Sequence, residues 1–247
     1  MPTSFSSTTA VILAGGLGTR IRHLLPDLPK PMAPVSGKPF LEWVVRYLKK
    51  QGLKRIVIST GFRGEKIEEY FAKNPVGATS ICCVRENTPL GTAGGFLFAT
   101  QESGLNPASW LVLNGDSLAF ATLNHLGQGL EDPATAGCIL GVEMGDTSRF
   151  GAIRSEPDGR LTGFQEKLPG AGIINAGMYL FRSATLSLFP KKSPLSFEHD
   201  VFPELLKRGV TLKVYATKAP FLDIGTPGSL TQAELFIRQN LQEFDQT

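Results

Sequence analysis

The chain switches between two hydrophobic periods. Ala10, Val11, Ile12, Leu13 and Ala14 form an unbroken apolar run, the pattern of a strand buried on both faces. Phe40, Leu41, Val44, Val45 and Leu48 then recur at three- and four-residue spacing, which predicts a helix that Gly52 stops. Further strands are expected at 54–59, near 80–85 and at 110–113, with helices at 65–71 and 92–100 between them. This gives four βα steps before residue 116. Strand–helix alternation reads as a parallel sheet covered on both faces. The expected class is therefore α/β, with a three-layer, mostly parallel, Rossmann-like sheet.

Beyond about Gly137 the texture changes. Residues 138–143 look like a strand, and 151–154 and 160–164 flank Pro157, Asp158 and Gly159, a hairpin signal. A strand is expected at 173–181 and helices at 196–208 and 226–240. Thr226 ahead of Pro227 supplies an N-cap and an N1 proline for the last. No repeat or linker interrupts the pattern. Residues 10–247 are thus expected as one compact unit behind a flexible polar lead-in at 1–9. Its front, 10–136, would bind nucleotide, its back, 137–230, would bind the substrate, and 226–247 would be a C-terminal helix.

At 247 residues the chain suits one large α/β domain. The net charge of +3 is too small to argue for a nucleic-acid surface, and the basic residues run no further than pairs such as Lys49-Lys50. The first residues have neither a cationic start nor a long apolar segment, so no signal peptide is read. No apolar run approaches the ~20 residues that span a bilayer. Cys82, Cys83 and Cys138 make no disulfide framework or metal spacing, and are expected as small core residues of a reduced, cytoplasmic protein.

The candidate chemistry begins where the first strand ends. Gly15, Gly16 and Gly18 precede Thr19 and Arg20, and Lys30 stands between Pro29 and Pro31. Three glycines able to take φ > 0 let backbone N–H groups approach phosphate oxygens, and Arg20 adds a forked cation. The flanking prolines are expected to hold Lys30 extended. A Walker A loop would need Gly-Lys-Ser/Thr here and a dinucleotide fingerprint a third glycine at Ile21; neither is present. Asp116 and Asp223, each ending a strand, could share one hard divalent cation; a turn-forming Asp and a helix-entry cap are the alternatives. Glu86 opens a second glycine-rich turn with Gly91 and Thr92, a wall for base or ribose. Glu166 could accept from sugar hydroxyls with Lys167 neutralising a second phosphate, or the two form a solvated pair. Asn175 precedes Gly177 inside a strand, where a glycine marks a bulge or a close approach. His23, His125 and His199 share no motif spacing, and His199 is expected to be structural.

Taken in order, Gly15 to Arg20, Pro29-Lys30-Pro31, Leu90 to Gly94, Asn114-Gly115-Asp116, Phe150-Gly151, Glu166-Lys167, Asn175 to Gly177 and Asp223 to Pro227 resemble the sugar-nucleotide nucleotidyltransferase family. Within it the stretches at 30–34, 37–42, 113–117, 149–151, 196–198 and 221–225 are most similar to the short D-glycero-α-D-manno-heptose 1-phosphate guanylyltransferases. The one departure is Ala93, where those relatives are expected to carry glycine. The resemblance implies the nucleotide-diphospho-sugar transferase fold. It also implies transfer of a nucleoside monophosphate, GMP from GTP, to a sugar 1-phosphate with release of pyrophosphate, supplying cell-surface polysaccharide or S-layer glycan precursors. Arg20, Lys30, Asp116 and Lys167 would be catalytic, with Asp116 and Asp223 holding Mg²⁺. Leu13, Ala14, Gly15, Gly16, Gly18, Thr19, Glu86, Gly91 and Thr92 would bind the nucleotide, and Gly151, Glu166, Lys167 and Asn175 the sugar phosphate. Neither nucleic acid nor membrane is an expected partner; a homo-oligomer is compatible. Mannose-1-phosphate guanylylation, a dTTP or UTP specificity, and an inactive nucleotide-sensing subunit are the competing readings.

Overall fold

The computed structural model describes residues 5–165 and 169–244. A nine-stranded sheet runs through it. Its front is built from β1 (Thr8–Ala14), α1 (Phe40–Lys50), β4 (Arg55–Thr60), α2 (Gly64–Lys73), β5 (Ser80–Arg85), α3 (Thr92–Glu102) and β6 (Ser109–Asn114). A small ladder of β2 (Pro34–Val35) and β3 (Lys38–Pro39) precedes α1. These four long strands lie side by side and parallel in the order β5-β4-β1-β6. The chain therefore leaves β1 toward one edge and returns to its other side at β6. Such a reversal opens a crevice at the carboxyl ends of the two central strands.

The back half adds β8 (Thr135–Met144), β9 (Ala152–Ser155), β10 (Leu161–Gln165), β11 (Gly172–Arg182) and β12 (Thr211–Thr217). β11 runs antiparallel to β6, β8 and β9, β10 runs antiparallel to β9, and β12 is parallel to β8. Seven of the nine strands thus point one way, with β10 and β11 against them, which gives the mostly parallel sheet expected. Outside it, β7 (Ser117–Ala119) pairs with β13 (Phe221–Asp223). Three more helices, α4 (Asn124–Gly129), α5 (Phe202–Lys207) and α6 (Pro227–Gln239), complete the described α-helices.

Alternate residues of the central strands feed two separate cores. Ala10, Ile12, Ile56, Ile58, Leu111 and Leu113 pack with Val44 and Leu48 of α1, Ile67 of α2 and Ile237 of α6. Val11, Val57 and Val112 face the other way, onto Phe96 of α3 and Phe202 of α5. A strand period of two presents each apolar run to both helical layers, and this makes the three-layer arrangement. In the second core Phe197 has the rings of Phe96, Tyr179, Phe181 and Phe202 within 5.0–5.9 Å of its own.

Several expectations are corrected. The stretch at 1–9 is not all lead-in: Phe5 is buried in the core, and Thr8 and Thr9 already pair with Ser109 and Trp110, because backbone pairing does not require apolar side chains. Of the four βα steps, three are complete; β6 runs into β7 before any helix. The helix at 196–208 is a π-helical turn at Phe197–Val201 followed by α5. The C-terminal helix ends at Gln239 and a 3₁₀ turn, Leu241–Glu243, follows. Only Cys138 is buried, its thiol pushed up to about 12 mainly by that burial; Cys82 is exposed on the edge strand β5. The helix entry at Thr226 forms as expected, with a capping box to Ser229. No described helix is long and apolar enough to cross a membrane.

Candidate active site

Two cavities open at the carboxyl ends of β1 and β6. The first, about 400 Å³, is walled by Leu13 and Ala14 at the end of β1, by Gly15, Gly16, Gly18, Thr19 and Arg20 from the loop after it, and by Lys30. Glu86, Gly91 and Thr92 close it on one side and Asn114, Asp116 and Gly225 on the other. The tertiary structure thus brings together the front-half residues singled out from the sequence.

The glycines act differently from one another. Only Gly18 of the first loop has positive φ, at 58°. Gly15 is required for space: a Cβ there would come 2.9 Å from Glu86 Oε1, and one on Gly61 would come 2.6 Å from the Gly15 carbonyl oxygen. A Cβ on Gly16 would meet nothing within 4 Å. Glu86 is held by Ser59, whose hydroxyl donates to Oε1 at 2.8 Å, and by the Leu90 N–H, which donates to Oε2 at 3.2 Å. Ala93 is fully buried in the second core beside Phe96, so the extra methyl group relative to glycine faces away from the cavity.

Lys30 is not extended. It opens a 3₁₀ turn, Lys30–Met32, closed by Met32 N–H donating to the Pro29 carbonyl at 2.8 Å; Pro29 is the extended residue, at φ −68° and ψ 147°. The turn delivers Lys30 Nζ to 2.5 Å from Asp116 Oδ2. Asp116 lies in the turn after β6, two residues beyond the strand end at Asn114. The β7–β13 pairing sets Asp223 opposite Ser117, and Ile224 N–H donates to the Asp116 carbonyl at 2.9 Å. Burial, and then the charge of Asp116, push the Asp223 carboxyl above the usual carboxylate range; Lys30, the Gly225 N–H and Arg20 pull it back. A carboxylate pushed up by burial and by the charge of a second one beside it fits a hard divalent cation, which takes oxygen ligands and would relieve the repulsion. No group of three or more His, Cys, Asp or Glu is gathered among the described residues, so the remaining ligands would be phosphate oxygens or water.

The second cavity, about 680 Å³, shares Asn114 with the first and is lined by Gly151 and Asn175. Gly177, at φ 68°, sits at the bulge where β11 shifts register against β8; a Cβ there would come 2.3 Å from Asn114 Nδ2. Asn175 Nδ2 donates to the Tyr179 hydroxyl at 2.8 Å, and that hydroxyl donates to Glu198 Oε1 at 2.9 Å. Burial raises the Tyr179 hydroxyl well above its ordinary pKa, which keeps it a donor. Glu166 and Lys167 lie outside the described residues. Glu198 and His199 also line this cavity, and the His199 N–H takes part in the Ser196 cap. Their signal in the sequence was three polar residues, Glu198, His199 and Asp200, set between Phe197 and the pair Val201 and Phe202, with Ser196 ahead of them, whose hydroxyl accepts from His199 N–H.

The sequence profile described as Nucleotidyl transferase matches residues 9–240. The chain belongs to this family. It is 35% identical to a D-glycero-α-D-manno-heptose 1-phosphate guanylyltransferase of Campylobacter jejuni, over 88% of this chain and 95% of the relative. It is 33% identical to a mannose-1-phosphate guanylyltransferase of Mycobacterium tuberculosis, over 88% of this chain but 61% of that longer protein. The crystal structure of HddC from Yersinia pseudotuberculosis complexed with GMP-PN superposes with a TM-score of 0.81 at 33% identity, covering 92% of this chain and 98% of HddC. The chain is accordingly a nucleotidyltransferase with the nucleotide-diphospho-sugar transferase fold.

The shared wall between the cavities depends on Gly177. Gly177→Ala should strain a left-handed backbone and drive Asn114 from its place, with a loss of about 1–3 kcal/mol in stability. Urea denaturation beside a nucleotidyl-transfer assay checks this; unchanged stability and activity would contradict the close approach.

Proposed function

We propose that the chain transfers GMP from GTP to D-glycero-α-D-manno-heptose 1-phosphate, giving the GDP-sugar and pyrophosphate. The observation that carries this is the pair of cavities meeting at Asn114, one lined by glycines and cations, the other by a polar network. A triphosphate in the first and a sugar 1-phosphate in the second would meet at that wall. A phosphate oxygen of the sugar, already anionic, attacks the α-phosphorus in line; the bond to the pyrophosphate oxygen breaks, and its electron pair leaves with pyrophosphate. No enzyme nucleophile is needed, and catalysis is positioning and charge neutralisation.

Arg20 and Lys30 grip the triphosphate and Lys167 the sugar phosphate. Asp116 and Asp223 would hold Mg²⁺, which when bound supplies charge neutralisation to the phosphate oxygens. The Asn175–Tyr179–Glu198 network orients sugar hydroxyls, with Gly151 lining the same cavity and Glu166 as a further acceptor for them. The presence of Lys30, Asp116 and Asp223 in one place argues against an inactive sensing subunit. Glu86 supports guanine: a carboxylate accepts from both N1–H and the N2 amino group, whereas thymine and uracil offer one donor between two acceptors. The product would serve cell-surface polysaccharide or S-layer glycan synthesis in the cytoplasm, where GTP is supplied.

The direct test is pyrophosphate release with each of four NTPs and a panel of sugar 1-phosphates. Manno-heptose 1-phosphate should exceed mannose 1-phosphate roughly ten- to hundredfold in kcat/KM, because polar groups fitted to the seventh carbon's hydroxyl are left unpaired by the hexose, at about 1–3 kcal/mol. Equal values would move the assignment to mannose. Glu86→Gln should lower kcat/KM for GTP by about 10–100-fold and narrow the gap to dTTP and UTP; an unchanged ratio would remove Glu86 from base reading. Asp116→Asn and Asp223→Asn should leave folded protein without activity, and the double variant should be no worse than either alone, since two ligands of one ion act as a unit. Activity surviving both would place the cation elsewhere.

A further inference from the structure

The Lys30 ammonium occupies a carboxylate oxygen that a cation ligand would need. Its Nζ is 2.5 Å from Asp116 Oδ2, and only 10% of the lysine side chain is exposed. The same ammonium lies against Gly225: a Cβ on that glycine would come 3.1 Å from Lys30 Nζ and 2.4 Å from Asp223 Oδ1. One positive charge therefore sits beside both carboxylates. The base of the side chain is fixed by the 3₁₀ turn and by Gly18, where a Cβ would come 3.0 Å from Lys30 Cβ. Its outer part is a flexible stem ending in a compact charge, so the ammonium can change partner while the backbone stays. The available alternative partner is an anion in the first cavity, which Lys30 also lines.

We infer that Lys30 is a resident counter-ion that competes with the divalent cation for Asp116, and that a triphosphate in the first cavity draws its ammonium away. This rests on the metal reading of Asp116 and Asp223. Without nucleotide, a hard cation must displace an ammonium to reach its carboxylate oxygen. With nucleotide, Lys30 has phosphate oxygens to pair with and Asp116 is released. Metal and triphosphate then strengthen each other's binding by the same factor, as linkage requires. A merely electrostatic role for Lys30 would not distinguish it from Arg20, a second cation of the same cavity that also acts on Asp223.

The probe is Mn²⁺, titrated into the full chain and followed by electron paramagnetic resonance and water-proton relaxation, with and without a non-hydrolysable GTP analogue. Wild type should bind Mn²⁺ weakly alone and more tightly with the analogue. Lys30→Met should tighten Mn²⁺ binding without nucleotide by about tenfold or more and reduce the enhancement by the analogue by the same factor, the remainder being direct ligation by its phosphate oxygens, while Arg20→Met should change nucleotide-free binding less than about twofold. Lys30→Gln, which retains a hydrogen-bond donor, serves if the methionine variant fails to fold. Lys30 variants equal to wild type, or an Arg20→Met effect as large as theirs, overturn the inference. If Mn²⁺ is not held even with the analogue, or if Asp116→Asn leaves its binding unchanged, the metal reading falls and takes the inference with it.

Discussion

The pairing of β1 with β6 sets Leu13 opposite Asn114, and the Gly115 N–H then donates to the Leu13 carbonyl at 2.8 Å. A Cβ on Gly115 would come 2.9 Å from that oxygen, so the contact is as close as the two backbones allow. It holds the glycine-rich loop beside the turn that carries Asp116. Because the chain moves outward from β1 in both directions, no crossover covers this end of the sheet. The loop, the two carboxylates and the shared wall of the cavities all take their positions from it.

Close backbone approach recurs around that point. Gly15 makes room for Glu86, Gly61 for the Gly15 carbonyl, and Gly177 for Asn114. Each is a position where a side chain would collide with an atom that faces a cavity. The glycines therefore bring polar groups of different elements within reach of one small ligand, and only some of them are needed for their dihedral freedom. The second core works alongside: the ring cluster around Phe197 seats the π-helical turn that presents Glu198 and His199.

Charge is arranged with equal economy. Asp116 and Asp223 are neighbours through a strand pairing of three residues, β7 with β13, and their mutual repulsion is offset by one lysine at 2.5 Å from Asp116. Neighbouring half-buried like charges are stabilised by a counter-charge between them. In this chain the counter-charge comes from the loop that faces the triphosphate cavity, so the electrostatics of the carboxylate pair and of the phosphate cradle are linked.

Much of this was legible in the chain itself. The apolar runs at β1, β4 and β6 and the helical spacing at α1 follow from local periodicity, and the Thr226 cap from its own neighbours. The glycine-rich loop, Lys30 and the two aspartates were readable because strand ends and glycine turns are local signals. What was not readable depends mostly on long-range pairing: the antiparallel insertion of β11 between β6 and β8, strand β12, and the β7–β13 ladder that joins the aspartates; the 3₁₀ turn at Lys30 is local, and its i→i+3 hydrogen bond overrode the extended preference that Pro31 imposes. Glu198 and His199 were missed because their place in the second cavity is set by aromatic packing against α3 and β11 and not by neighbours in sequence. Local sequence determines which residues can form an element or carry a charge. Only the register between strands distant in sequence decides which of them meet, because hydrogen-bond pairing and core packing are satisfied by the whole sheet at once.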